Sequence, residues 1–234
     1  MAKGKKNDAT GKELESIEHA LSSSEAFIEK NQKKLLIGLA IVLVAVLGYL
    51  LYMNYYLAPR EKQANEIIAV GQKYYAQEKY AIVLNGDSLD FEGLVPMVKK
   101  FSMTTSGNLA AAYVGFAYYK QGEYDNAIKY LDKVSTKDEV LAYTVLGTIG
   151  DAYVQKGEVE KGIEYFLKAS KTSNSMVAVT YLQKAGKAYE SLAQYDKALK
   201  MYESIKAEYS NQLPGFAPID DIDKYIEKAS SLTK

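Results

Sequence analysis

The chain has 234 residues, with 29 Lys plus Arg against 29 Asp plus Glu, 48% hydrophobic residues, 21 Tyr, one His and no Cys. A balanced charge, with Arg60 as the only arginine, argues against a protein built to coat nucleic acid or to clamp phosphate bidentately. The lack of Cys removes disulfides, thiolate metal sites and cysteine nucleophiles, and His19 alone supplies neither a triad nor a metal cage, so no catalytic residue, metal or cofactor is expected.

Residues 1–34 are mostly polar. Leu14, Ile17, Leu21 and Phe27-Ile28 recur at helical spacing, and Ser22 with Glu25 has the form of a capping box. Two readings stand here: an amphipathic helix near a membrane surface, or a partly disordered tail whose helical stub continues into the next segment.

Residues 35–53 read LLIGLAIVLVAVLGYLLYM, without a charge, and twelve of these nineteen are Leu, Ile or Val. As a helix rising about 1.5 Å per residue, the run spans roughly 28 Å, close to the hydrocarbon thickness of a bilayer. Each central Leu, Ile or Val favours insertion by roughly 0.3–0.6 kcal/mol, which sums to several kcal/mol. A cleaved signal peptide would have a shorter apolar region after a brief basic start. Here 34 residues precede the run, and Tyr55-Tyr56-Leu57-Ala58-Pro59 is a poor cleavage site. A retained single-pass transmembrane helix is expected over 35–56. Lys30, Lys33 and Lys34 crowd its start, with Lys3, Lys5, Lys6 and Lys12 behind, against only Arg60 and Lys62 beyond it. Tyr49, Tyr52, Tyr55 and Tyr56 form an aromatic belt at the exit. The positive-inside rule then puts residues 1–34 in the cytoplasm and the rest across the membrane.

Three later segments repeat one another. In the first, Gly115 and Tyr118 precede Gly122-Glu123-Tyr124, Ala127, Leu131 and Val134. In the second, Gly150 and Tyr153 precede Gly157-Glu158-Val159, Gly162, Phe166 and Ala169. In the third, Gly186 and Tyr189 precede Ala193-Gln194-Tyr195, Ala198, Tyr202 and Ile205. The matching glycines are 35 and 36 residues apart, near the tetratricopeptide period of about 34. Each unit reads as two antiparallel helices joined at Gly122, Gly157 or Ala193. The small residue admits a close crossing, and Tyr118, Tyr153 and Tyr189 pack between helices. The fold class is all-α: one transmembrane helix, then a tetratricopeptide-repeat α-solenoid.

Residues 61–80 resemble another first helix through Gly71, Tyr74 and Tyr80. Ala81-Ile82-Val83-Leu84 looks extended, Asn85-Gly86-Asp87 signals a turn, and a short helix is expected over 91–101. Ile219, Ile222, Ile226 and Ala229 form one face of a final capping helix. Asp220, Asp221 and Asp223 read as acids favoured in its first turn rather than as a cation site. The expected organisation is 1–34 cytoplasmic segment, 35–56 membrane helix, 57–107 degenerate repeat, 108–214 three repeats and 215–234 cap.

First helices of such arrays line a shared binding face. Helical spacing puts Phe116, Tyr119, Asp151, Val154, Gln183 and Lys187 there, with Tyr75 extending it. This mixed aromatic and polar strip, poor in basic residues, suits an extended or amphipathic polypeptide. For Phe116 and Tyr119, packing between helices is an equally good account.

A short lysine-containing segment (Phe27-Ile28-Glu29-Lys30-Asn31-Gln32-Lys33-Lys34), one anchor and an exported array of three to four repeats resembles the YfgM-like family. The Asn85-Gly86-Asp87 loop and the Lys184-Ala185-Gly186-Lys187-Ala188-Tyr189-Glu190 helix resemble its Bacteroidetes-type members. The resemblance implies an ancillary subunit of the Sec translocon in the bacterial inner membrane. It would face the periplasm beside a membrane-anchored chaperone of the peptidyl-prolyl isomerase type, with no catalytic residues. Two other readings use the same parts: a scaffold for another envelope assembly, such as outer-membrane biogenesis or division, and a regulator whose cytoplasmic segment reports on what the exported domain has bound.

Overall fold

In the computed structural model the described residues are 7–87 and 89–233, with side chains described from Glu25 on, Ala26 excepted. The described residues contain helices and no strand. The chain divides into two units, Met1–Ala58 and Pro59–Lys234.

The first unit is helix α1 (Asn7–Leu51) followed by π-helical turns over Tyr52–Leu57. Side chains from residue 35 to 56 are exposed throughout. One helix among the described residues, Phe27–Ala76, is long and apolar enough to cross a membrane by length and composition. Helix α1 runs through Ser22, which is therefore interior to a helix and not its N-cap. The expected capping box fails because the helix begins upstream, and the face of Leu14, Ile17 and Leu21 lies outside the described side chains. Helix α2 spans Ala58–Ala76. Pro59 has no N–H, and its ring opposes the carbonyl four residues back. The π-helical turns immediately before it are where the hydrogen-bond ladder changes register.

The second unit is a series of hairpins. Helices α3 (Tyr80–Asn85) and α4 (Leu94–Lys100) complete the unit that α2 begins. Three regular hairpins follow: α5 (Thr105–Lys120) with α6 (Tyr124–Leu131), α7 (Glu139–Gln155) with α8 (Val159–Ala169), and α9 (Ser175–Ser191) with α10 (Tyr195–Tyr209). Each second helix also packs on the next first helix: α6 on α7, α8 on α9, and α10 on the terminal α12 (Ile222–Leu232). The first helices start well. Thr104, Asp138 and Asn174 are N-caps whose side chains accept from the N–H three residues on, at 2.9, 2.8 and 3.2 Å.

Four glycines explain the close crossings. A Cβ at Gly71, Gly115, Gly150 or Gly186 would fall 2.7, 2.5, 2.7 or 2.4 Å from Leu94, Leu131, Phe166 or Tyr202. One bulky side chain thus fills the notch left by one missing methyl in every hairpin, and close packing makes that match specific. Seven residues after each glycine the chain turns through the left-handed region, at Glu78 (φ 58°), Gly122 (79°), Gly157 (81°) and Ala193 (55°). The next N–H, of Lys79, Glu123, Glu158 or Gln194, then donates to the carbonyl of Tyr74, Tyr118, Tyr153 or Tyr189 at 2.9–3.0 Å. This is a Schellman closure in all four units.

Two of those closures carry a residue with a Cβ. A left-handed L-residue costs about 1–2 kcal/mol, and glycine's extra unfolded-state freedom returns part of that. Ala193→Gly is expected to stabilise the chain by about 0.5–1 kcal/mol, seen as a higher urea midpoint of the solubilised full-length protein. An unchanged or lower midpoint would refute this.

The degenerate unit departs from the sequence reading. Ala81–Leu84 is not extended but lies within α3, with Val83 and Leu84 buried. Strand propensity describes fit to a pleated surface, and among the described residues no such surface is present for these residues to pair with. The helix expected over 91–101 is shortened because Gly93 adopts φ 85° just before α4, leaving Phe91 buried in a loop. That loop is held by Asp87. Its Oδ1 accepts from the backbone N–H groups of Leu89, Asp90 and Phe91 at 3.0–3.1 Å, and its Oδ2 from the Tyr74 hydroxyl at 2.6 Å. The C-terminal cap also divides. Ile219 belongs to the one-turn α11 (Ala217–Asp220), and Ile222 and Ala229 to α12, all three against Tyr202 and Ile205.

The Tyr74 hydroxyl, followed by the loop N–H groups, holds the Asp87 carboxyl down at about 2, and the same bond raises the Tyr74 phenol. A depressed acid stabilises the fold in its ionised form. Its contribution is whole above the ordinary carboxylate value, near pH 4, and is lost as pH falls towards 2. Glu158, lowered to about 2 by Lys156 and then Lys161, titrates in the same window. Tyr74→Phe removes the largest cause at Asp87, so the urea midpoint of that variant is expected to fall less between pH 4.5 and 2.5 than in the parent. Identical acid slopes would refute the assignment.

Candidate partner-binding groove

On the face shared by the first helices, α2, α5 and α7 enclose an open hollow of about 410 Å³. Tyr75 contributes from α2, Leu109, Tyr113, Phe116, Tyr119 and Lys120 from α5, and Leu141, Thr144 and Thr148 from α7. The aromatic rings order one another. Tyr75 meets Tyr113 edge-on at 5.2 Å and Tyr80 at 5.3 Å, and Tyr119 tilts against Tyr124 at 5.8 Å. Burial, then Tyr80 and Tyr113, push the Tyr75 phenol up to about 12. The Tyr119 phenol is also raised, first by burial and then by the nearby Asp151 carboxylate. These phenols remain neutral donors at physiological pH. An apolar wall with hydroxyl groups and the Lys120 side chain at its edge is what a polypeptide side chain with neighbouring amides would match.

The structure brings together only some of the residues named from sequence. Tyr75, Phe116 and Tyr119 line the hollow. Phe116 is also half-buried against Ala112, Leu131, Val145 and Ile149, so its ring joins groove to core. Asp151 lies beyond the hollow and pairs with Lys184 of α9 at 2.6 Å. The Lys184 ammonium sits 5.6 Å from the Phe166 ring and 5.7 Å from that of Tyr181. Val154 points into its own hairpin, where a Cβ on Gly162 would fall 2.5 Å from its Cγ2. Gln183 and Lys187 interact at 3.4 Å, and Lys187 lies 5.0 Å from the ring of Tyr225 on α12, at the far end of the array. Sequence reasoning missed Leu109, Tyr113, Lys120, Leu141, Thr144 and Thr148, which also line the hollow. Tyr113 stands three residues before Phe116, so helical spacing alone was enough to find it.

Helix α5 is fixed against α2 by one carboxylate. Glu61 accepts from the N–H groups of Thr105 and Ser106 at 2.8 and 3.0 Å and from the Ser106 hydroxyl at 2.7 Å. An acid on a helix N-terminus meets both the unpaired donors and the dipole. The aromatic end of the hollow is thereby held in place.

Residues 143–175 match one tetratricopeptide-repeat family, and residues 113–138 and 180–211 match a second. These hairpins are tetratricopeptide repeats. No curated protein matches the chain. Two solved structures of MamA are similar at 20% identity. The first has a TM-score of 0.47 over 72% of this chain and 91% of that one, the second 0.46 over 70% and 94%. Tetratricopeptide repeats in general are protein-binding scaffolds, built by stacking units into an extended surface.

Proposed function

We propose that this protein is a non-enzymatic adaptor, anchored in a bacterial inner membrane by residues 35–56 and binding protein partners through the groove of its repeats. Residues 1–34 lie in the cytoplasm and the repeats in the periplasm. There the groove holds an emerging or extended polypeptide at the Sec translocon, beside a membrane-anchored chaperone of the peptidyl-prolyl isomerase type. The observation that carries the binding role is the convergence of Tyr75, Tyr113, Phe116 and Tyr119 on one open hollow. Buried aromatics supply most of the energy of such contacts. The anchor is supported by the exposed apolar helix, and the translocon by the resemblance to YfgM-like proteins.

The test is purification of the tagged full-length protein from native membranes in mild detergent, with mass spectrometry of what is retained. Sec channel subunits or a membrane-anchored isomerase are expected. A different stoichiometric envelope partner would transfer the role to another assembly. The groove is tested separately by Phe116→Ala with Tyr119→Ser. Loss of two aromatic anchors, each worth roughly 1–2 kcal/mol, is expected to weaken partner retention at least tenfold. The melting temperature should fall by only a few degrees. Equal retention, or unfolding in place of lost binding, would make these rings core and nothing more.

A further inference from the structure

A second hollow, of about 530 Å³, opens on the degenerate unit between α2, Asp87, residues 89–93 and α4. It shares no lining residue with the aromatic groove. Its floor includes Phe91, Met97 and Phe101, all buried. At its mouth Leu89 is 85% exposed and Val70 40% exposed. The backbone of Leu89 is tied down, its N–H bonded to Asp87 Oδ1 at 3.0 Å. The Asp87 turn therefore presents a large aliphatic side chain to solvent beside an apolar hollow. Isolated exposed leucines are ordinary, but one held over an apolar cavity marks a contact surface.

The rim has a sign. Glu66, Asp90 and Glu92 line it, all exposed, and none forms a salt bridge among the described residues. The Asp87 carboxylate is consumed by its loop and Tyr74. Among the described residues Lys100 is the cation that lines the hollow, its ammonium 5.3 Å from the Phe101 ring, and the Arg60 guanidinium lies 5.5 Å from the same ring. The site is thus apolar inside, and the three carboxylates outnumber the cations at its edge. We propose that this hollow docks a basic amphipathic segment of a partner protein. An apolar side chain enters against Leu89, Met97 and Phe91, and lysines or arginines meet Glu66, Asp90 and Glu92. Apolar anchoring gives such a contact its lifetime, and the carboxylates give it sign selectivity and a salt-dependent on-rate.

The probe is a fluorescein-labelled, lysine-rich peptide carrying a single Leu-Phe pair, with a glutamate-rich counterpart of the same pattern. Each is titrated into the full chain in zwitterionic nanodiscs, with empty nanodiscs as the blank. The basic peptide is expected to bind, and more weakly at high salt. Leu89→Asp, at an exposed position that leaves the fold intact, should weaken it at least tenfold. Glu66→Lys with Glu92→Lys should also weaken it and shift preference to the acidic peptide. The Phe116→Ala, Tyr119→Ser protein should bind it as the parent does. Equal affinity for both peptides, no effect of Leu89→Asp, or loss of binding in the groove variant would each overturn the proposal. So would a dimer of the parent chain that Leu89→Asp converts to monomer, because the occupant would then be a second copy.

Discussion

Gly93→Ala is expected to destabilise the repeat unit by about 3 kcal/mol or more, with the damage starting in the segment from α2 to α4. Gly93 has φ 85° and ψ 167°, a region open almost exclusively to glycine, where other residues carry roughly 1–3 kcal/mol of strain. Space is a second obstacle. A Cβ there would lie 2.4 Å from the Leu84 carbonyl oxygen and 2.6 Å from the Gly86 nitrogen, both backbone atoms that yield only if the loop moves. Moving it disturbs buried Phe91 and Leu94 on either side. Urea unfolding of the full chain gives the magnitude, and amide exchange gives the location. A loss below about 1 kcal/mol, or exchange rising first in α9 and α10, would refute the argument.

Tyr202→Ala is expected to cost about 4 kcal/mol, the range for emptying an aromatic site in a core. Tyr202 is fully buried, its ring fills the notch at Gly186, and it lies 5.3 Å from Tyr225 of α12. Removing the ring opens a cavity between the last hairpin and its cap. Tyr202→Phe separates the ring from the hydroxyl, which donates to Glu190 Oε1 at 3.0 Å. That variant should lose only about 1 kcal/mol, the net worth of one hydrogen bond. Glu190 keeps a partner in Lys228 either way. If Phe and Ala cost the same, packing is not what Tyr202 contributes.

The repeats were legible because they are written at fixed offsets. Gly115, Gly150 and Gly186 each precede their bulky partner by sixteen residues, and each helix pair turns seven residues after the glycine. The degenerate unit was harder to read because its loop displaces Leu94 seven residues beyond that offset from Gly71. The apolar run before the loop then looked like a strand when judged on local propensity. Candidate site residues were only partly legible for another reason. A helical wheel gives an angle, but the boundary between groove and hairpin interior depends on how closely two helices cross. Val154 fell on the wrong side of that boundary because Gly162 lets α8 approach it. Lys184 is the partner of Asp151 across two helices, a relation that spacing along the chain does not encode.

The left-handed turns grade the array from its middle outwards. Gly122 and Gly157 occupy the two inner closures at no steric cost, while Glu78 and Ala193 strain the outer ones. In a chain of units stabilised by neighbours, such a gradient makes fraying begin at the ends. At the C-terminal end, α11 and α12 cover the exposed hairpin. At the other end the strained unit contributes Tyr75 to the aromatic hollow. A partner held there would clamp the less stable end of the array, so occupancy would be felt as slower breathing of α2 and α3, with the central hairpins left as they were.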